Sequence, residues 1–249
     1  IARGQRQLSP ETAGKVNRVA NLVTGRTSVG KFGWKNQNPS LAQFSADAYL
    51  NEMGITSQLF PEENCPQGDC SLLRCDPVAD PEDDGRHLAL LVEFVRLLPP
   101  LAPQGKADPH GAALFRESGC AGCHVDSLRT GPSDVAALAN QPVPAFSDFL
   151  LHDMGPRLGD GVVAADAGAN EFRTAPLWGA RASAPYLHDG RAPTIEEAIA
   201  LQKIPEANVS WTEAAMLRHK HSDIGVAVAL PFGLITPIIR QAEVKTLSA

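Results

Sequence analysis

Residues 119–127 read GCAGCHVDS, two cysteines two positions apart with a histidine directly behind the second. Three chemistries use this spacing: a redox dithiol, half of a zinc site, and covalent attachment of a c-type haem. For haem the chemistry sets the spacing. Two intervening residues let one turn of chain reach both porphyrin vinyl groups, and the next position turns an imidazole beneath the ring. Cys120 and Cys123 would then form the thioethers, and His124 would be the proximal iron ligand, its other ring nitrogen hydrogen-bonded to a backbone carbonyl. A thioredoxin-like dithiol opens a helix after a strand, whereas the residues before Cys120 read as helix. A structural zinc needs four ligands, and there is no second C-x-x-C to complete the set.

Outward from this motif the chain is polar, loop-prone and moderately acidic. Its 249 residues carry a net charge of −6, which offers nucleic acid no basic surface. Pro and Gly number 20 and 21, and strand-like alternation is scarce, so short helices separated by long punctuated loops are expected. Residue 1 is Ile, and no basic stretch followed by an apolar core precedes the globular pattern, so the chain reads as processed or truncated, with no signal peptide in view. The longest apolar run, Ile224 to Ile239, is short and Pro-interrupted, and no membrane span is expected.

Helix signals are local and specific. Ser40 caps a helix bearing Leu41, Phe44, Ala48 and Tyr49, and Leu88, Leu91, Val92, Val95 and Leu98 fall at helical spacing before Pro99-Pro100 stop the run. A short helix leads into Cys120, and Thr194 with Glu197 forms a capping box at the start of TIEEAIALQ. The Pro- and Gly-rich stretch around Gly105 reads as a domain boundary. Cys65, Cys70 and Cys75 lie evenly spaced in an acidic loop, and one disulfide with one thiol left over is expected, its pairing open.

The stretch FRTAPLWGARASAPYLHDGRAPTIEEAI, residues 172–199, resembles the C-terminal domain of bacterial di-haem cytochrome c peroxidases and of the related methylamine-utilisation di-haem enzymes. More closely, FGWKNQNPSLAQ, MGITSQLFPEENC and LLHDMGPRLGDG are similar to the branch of di-haem, thiol-oxidoreductase-like proteins, so that the resemblance runs from about Val29 to Ile199. It implies a mostly α, loop-rich fold: a cytochrome c-like haem domain at 106–201, preceded at 1–105 by the remnant of another, peroxidatic-type domain whose own attachment motif would lie upstream. Residues 202–249 depart from the family and read as an atypical tail, unstructured or the product of a reading-frame error.

The resemblance further implies covalent haem c, one in this chain and two in a full-length protein, serving electron transfer in a peroxidase-like oxidoreductase matured in the periplasm. Expected partners are a small electron-donor protein, a cytochrome or cupredoxin, and hydrogen peroxide. Trp34, Gln43 and Glu52 match the residues that lie between the haems and on the peroxide side, in a register one residue short at each interval. Glu52 would shift a proton between peroxide oxygens. Arg181 and Arg191 are candidates for the propionates. The sixth iron ligand, expected beyond TIEEAI, is replaced there by Gln202, which leaves Met154 as the thioether candidate. Two alternatives differ in class: a plain electron-carrier cytochrome with no substrate, and a haem-free thiol-disulfide oxidoreductase using Cys120 and Cys123.

Overall fold

Side chain–backbone ties, more than helix packing, organise this chain. The computed structural model describes residues 13–99 and 108–203, together with short strand segments between Val209 and Ile239. The expected boundary near Gly105 and the side chains of the tail, Gln202 included, lie outside the described residues. The chain divides into two units, Ile1–Ala180 and Arg181–Ala249.

In the first unit, strands β1 (Arg18–Asn21) and β2 (Arg26–Val29) form an antiparallel hairpin. Helix α1 (Leu41–Ala48) follows, capped by Ser40, whose hydroxyl accepts the Gln43 amide, and it runs into a π turn at Tyr49–Met53. Helix α2 (Arg86–Leu97) packs against α1. Its start is set by Asp83, whose carboxylate accepts the amides of Gly85 and Leu88. Only Leu88 of its apolar series is buried, while Leu90 and Phe94 stay exposed. Helix α3 (Pro109–Glu117), with Asp108 as N-cap and Pro109 at its first position, leads into a tight turn over Cys120–Gly122.

Two further antiparallel pairs complete this unit: β3 (Leu128–Arg129) with β4 (Pro142–Val143), and β5 (Leu151–Asp153) with β6 (Glu171–Arg173). The interior mixes apolar residues such as Ala46, Leu150, Leu151 and Phe172 with fully buried Asn17, Thr56, Ser57 and Ser147. Asn17 shows the reason: its amide donates to the carbonyls of Lys35 and Ala164 and accepts the Asp166 amide, satisfying loop backbone that no helix or sheet serves. Lys35 acts likewise. Its buried ammonium reaches the carbonyls of Gly168 and Glu171, pairs with Asp160 at 3.0 Å and lies 4.1 Å from the Phe172 ring centre. A disulfide joins Cys65 to Cys70, and Cys75 is an exposed free thiol.

In the second unit a turn at Tyr186–Ala192 precedes helix α4 (Ile195–Lys203), whose Thr194 hydroxyl accepts the Glu197 amide. Beyond it come β7 (Val209–Trp211) with β8 (Met216–Arg218), β9 (Ile224–Gly225) with β12 (Ile238–Ile239), and β10 (Val228–Leu230) with β11 (Gly233–Ile235).

The expectation of a mostly α, cytochrome c-like fold is therefore corrected. Among the described residues roughly 31% are helical and 16% are in strands, no α-helix exceeds 12 residues, and every sheet is a two-stranded antiparallel pair. The physical reason is the spacing of Pro and Gly, which cuts each apolar period after two or three turns and gives the buried polar side chains the task of holding loops together.

Candidate haem-attachment site

The turn that carries the motif is built from Gly119, whose φ of 81° ends α3 in the left-handed region, and from Cys120–Gly122, over which the His124 amide donates back to the Cys120 carbonyl at 2.9 Å. This places Cys120, Cys123 and His124 on one tight loop. Both cysteines are free thiols and half-buried. A second segment, Ala145–Leu151, lies along the loop and is stapled to it: the Ser147 amide donates to the Val125 carbonyl and the Asp148 amide to the Cys123 carbonyl.

That second segment decides the state of two imidazoles. Nδ1 of His124 lies 2.7 Å from the carbonyl oxygen of Phe146. A carbonyl can only accept, so Nδ1 carries the hydrogen and Nε2 is left with its lone pair. Burial lowers the His124 pKa, outweighing the carbonyl and Asp148, so the neutral ring prevails at pH 7. The ring is seated edge-on to Phe115, which in turn meets Phe146 edge-on at 5.9 Å. Exposed apolar surface flanks the turn at Leu114 and Phe146.

His152, on β5, was not among the residues expected at the site. Its Nε2 lies 2.9 Å from the Asp148 carboxylate and its Nδ1 lies 3.6 Å from Cys123 Sγ. Burial alone would lower its pKa, but hydrogen bonds to Asp148 and Cys123 push it up to about 9. Asp148 sits below its ordinary value despite burial, because His152 and the Leu150 amide bond its carboxylate. The signal in the sequence was the HDMG stretch, which draws attention to Met154 although its His152 makes the contact.

Arg173, on β6, is a second residue that spacing did not single out. Its Nη1 donates to the Lys31 carbonyl, its guanidinium lies over Phe149, and its Nε is buried with no partner. Burial lowers its pKa, and no carboxylate among the described residues forms an ion pair with it.

The donor set fits a covalently attached haem: two free thiols one turn apart, an adjacent imidazole whose free nitrogen is the one a metal needs, and a buried guanidinium nitrogen with no protein partner. The remaining expected residues are dispersed. Trp34 is about half exposed, and its carbonyl accepts the Arg173 amide. Gln43 is buried, and its side chain is committed to the β1–β2 hairpin, accepting the Leu22 amide and donating to the Ala20 carbonyl. Glu52 lies on the π turn, on the edge of a cavity of about 580 Å³ that Glu63 and Cys65 also line, and no hydrogen bond joins it to Gln43. Met154, half-buried, follows β5 and bonds through its backbone to Asn170. In the second unit Arg181 is exposed, and Arg191 is paired with Asp189, holding that carboxylate below its ordinary value against the effect of burial.

Similarity to known proteins falls in two parts. A segment of 52 residues, 21% of this chain, is 65% identical to the dihydrolipoyllysine-residue acetyltransferase component of pyruvate dehydrogenase complex of Rhizobium meliloti, of which it covers 12%. The corresponding components of Rickettsia felis and Zymomonas mobilis are 50% identical over 48 residues and 47% identical over 53, with the same 12% of their length covered. The chain thus spans about an eighth of the curated relatives it matches. No solved structure matches it. Residues 102–228, half of the chain and including the attachment turn, His152 and Arg173, match the family described as "Di-haem oxidoreductase, putative peroxidase", and the chain belongs to this di-haem oxidoreductase family.

Proposed function

We propose that the turn at Cys120–His124 holds a c-type haem covalently and that the chain transfers electrons within a peroxidase-like di-haem oxidoreductase. The observation that carries this is the His124 tautomer: Nδ1 is used by the Phe146 carbonyl, so Nε2 is the nitrogen free to ligate iron. When bound, the haem supplies the one-electron chemistry. The chain supplies the thioether sulfurs of Cys120 and Cys123, the proximal imidazole, and the orientation of that imidazole from the second segment. Arg173 is the residue best prepared to meet a propionate, since its Nε lacks a partner, and Arg181 is free of any carboxylate in the ion pairs described. Arg191 would have to leave Asp189 to do the same. Met154 is the proposed sixth ligand. Trp34 is proposed as the electron route and Glu52 as the group that moves a proton on peroxide; Gln43 would serve that side through the hairpin it holds.

Among the described residues no helix is long and apolar enough to cross a membrane. Maturation in the periplasm, with a small cytochrome or cupredoxin as electron donor, follows from the haem reading, because haem attachment and a persistent Cys65–Cys70 disulfide both belong to compartments outside the cytoplasm. The domain division at 1–105 and 106–201 is part of the same proposal.

The test is an absorption spectrum of the chain matured in a haem-attaching host, with Cys120→Ala and Cys123→Ala beside it. A Soret band that survives acid extraction, and loses covalent retention when both cysteines are replaced, is expected. No Soret band together with two titratable thiols at Cys120 and Cys123 overturns the reading in favour of a thiol-disulfide enzyme. Reoxidation of the reduced protein by peroxide then separates a peroxidase-like enzyme from a plain carrier.

A second reading concerns the end of the chain. The di-haem motifs quoted above end before Leu201, and we infer that the 52-residue acetyltransferase-like segment takes up the end of the sequence, beginning a few residues before the 48 that follow Leu201 and overlapping the end of the family match. At 12% of that relative's length it carries no claim to acyl transfer. Sequencing the transcript across Leu201 tests this: two separate reading units would remove the tail from any account of the haem chemistry.

A further inference from the structure

Arg173 closes strand β6 between the buried Phe172 and Thr174, and none of the ion pairs among the described residues includes it. Its guanidinium is only half used. Nη1 donates to the Lys31 carbonyl at 3.2 Å, whereas Nε is buried with no hydrogen-bond partner. Nε and Nη2 form one edge of the planar fork, and the described hydrogen bonds leave that edge open. A buried donor without an acceptor carries the full desolvation penalty of its group, and more so when the group is charged. The open edge presents two parallel N–H groups, the shape that accepts the two oxygens of a carboxylate. Charge narrows the choice further. The ammonium of Lys35 is committed to Asp160, and Lys31 points its exposed side chain to solvent, so one positive charge is on offer. That suits a carboxylate, while a phosphate of about −1.5 to −2 would be left short of donors.

Arg173 also joins two parts of the chain that the site depends on. Its amide donates to the Trp34 carbonyl at 2.7 Å, its Nη1 holds the carbonyl of Lys31 three residues earlier, and its guanidinium carbon lies 5.9 Å from the centre of the Phe149 ring. Asn36, at the far end of the same turn, donates through Nδ2 to the Phe149 carbonyl at 2.9 Å. We propose that Arg173 is the receptor for one carboxylate, and that filling it fixes the turn at 31–36, which carries Trp34, against the stretch at 146–149. The haem reading above, on which this rests for its source, makes a haem propionate the carboxylate; a free small carboxylate is the other source of the same chemistry. With its edge open, the guanidinium gains by swinging toward water, which costs the bond to Lys31 and the contact with Phe149. With a carboxylate on that edge, the same donors are satisfied in place and all three ties persist. A ligand that binds only the seated side chain therefore stabilises the seated turn.

The test follows the Arg173 Nε–H and the Trp34 indole N–H by nitrogen-15 NMR on the full chain, each signal assigned by its loss in Arg173→Lys or Trp34→Phe. The haem-free chain is titrated with sodium propionate at fixed ionic strength, with sodium chloride and inorganic phosphate as controls. Both signals are expected to move along one saturable curve. The half-saturating concentration, read from Trp34, is expected to rise roughly tenfold or more in Arg173→Lys, which keeps the charge and loses the fork. Identical curves for wild type and Arg173→Lys overturn the proposal, as do an equal response to chloride, a tighter response to phosphate, or no response. A moving Arg173 signal beside an unmoved Trp34 overturns the link to the turn. The reduced chain with haem attached separates the sources: signals that no longer respond to added propionate give the site to the haem, and a titration identical to that of the haem-free chain gives it to a free carboxylate. If no haem attaches, the haem reading fails, and the haem-free titration still decides the role of Arg173.

Discussion

The Asp148–His152 pair makes stability depend on pH in a direction the structure dictates. Burial opposes charge on His152, but Asp148 and Cys123 prevail and raise its pKa from 6.5 to about 9. A raised folded value means that the pair's contribution is complete below about pH 6.5 and is lost as the pH climbs through 9. The 2.5-unit difference is worth at most about 3 kcal/mol at 1.36 kcal/mol per unit, and about half of that after allowance for a site that solvent reaches from one side. Between pH 6 and pH 8 roughly half of the contribution disappears, about 1 kcal/mol, or ~2–4 °C in melting temperature for a domain of this size. On the acid side Asp148 is held below its ordinary value, so its share is present above about pH 4 and is lost as the pH falls through the depressed folded value. Thermal unfolding of the reduced, haem-free chain from pH 3 to pH 9.5, set against Asp148→Asn, isolates the pair from other titrating groups. The wild-type advantage should peak between pH 5 and 6 and shrink toward both ends. Parallel curves across that range would refute the reasoning.

Two further substitutions test the polar interior. Asn17→Ala removes three buried hydrogen bonds and strands two carbonyls and one amide, and a loss of about 3 kcal/mol in urea unfolding is expected; a loss under about 1 kcal/mol would mean that water replaces the side chain. Lys35→Met leaves the Asp160 carboxylate and the carbonyls of Gly168 and Glu171 facing an apolar side chain, at a cost of about 3–5 kcal/mol, and Lys35→Arg should not restore it because a planar fork does not fit acceptors arranged around a point charge. A Met variant as stable as wild type would show that these groups are solvated.

The cysteine motif and the helix caps at Ser40 and Thr194 were legible because each is a local rule, a fixed spacing of residue types satisfied within a few positions. The fold class was not. Short apolar periods read as the helices of a mostly α fold, yet only Leu88 of α2's apolar side chains is buried and the interior is closed by Asn17 and Lys35, polar residues that carry no periodic signal. The candidate site divides the same way. Cys120, Cys123 and His124 are adjacent in sequence, whereas Phe146, Asp148 and His152 reach them across 22 to 29 residues of loop and two short strands. No spacing rule links those numbers. The thioether of Met154 in HDMG drew the choice instead, two positions past the histidine that meets the turn.

What brings the two halves together is visible in the backbone of the second segment. Phe146 and Phe149 adopt φ values of 49° and 56°, a left-handed conformation that costs an aromatic residue on the order of 1 kcal/mol or more. Such outliers persist only where surrounding structure over-determines them. Here the segment between them is held by the Ser147 hydroxyl on the Thr174 carbonyl, by its amides on Val125 and Cys123, and by the Leu177 amide on the Ala145 carbonyl. The turn at Phe146 aims a carbonyl at His124 while, two residues on, Asp148 aims a carboxylate at His152. An acceptor on Nδ1 of one ring and an acceptor on Nε2 of the other hold two histidines beside the same loop in different states, His124 neutral and His152 charged at pH 7. The first leaves a nitrogen free for a metal, the second directs a nitrogen at a sulfur, and one strained stretch of four residues, Phe146–Phe149, sets both.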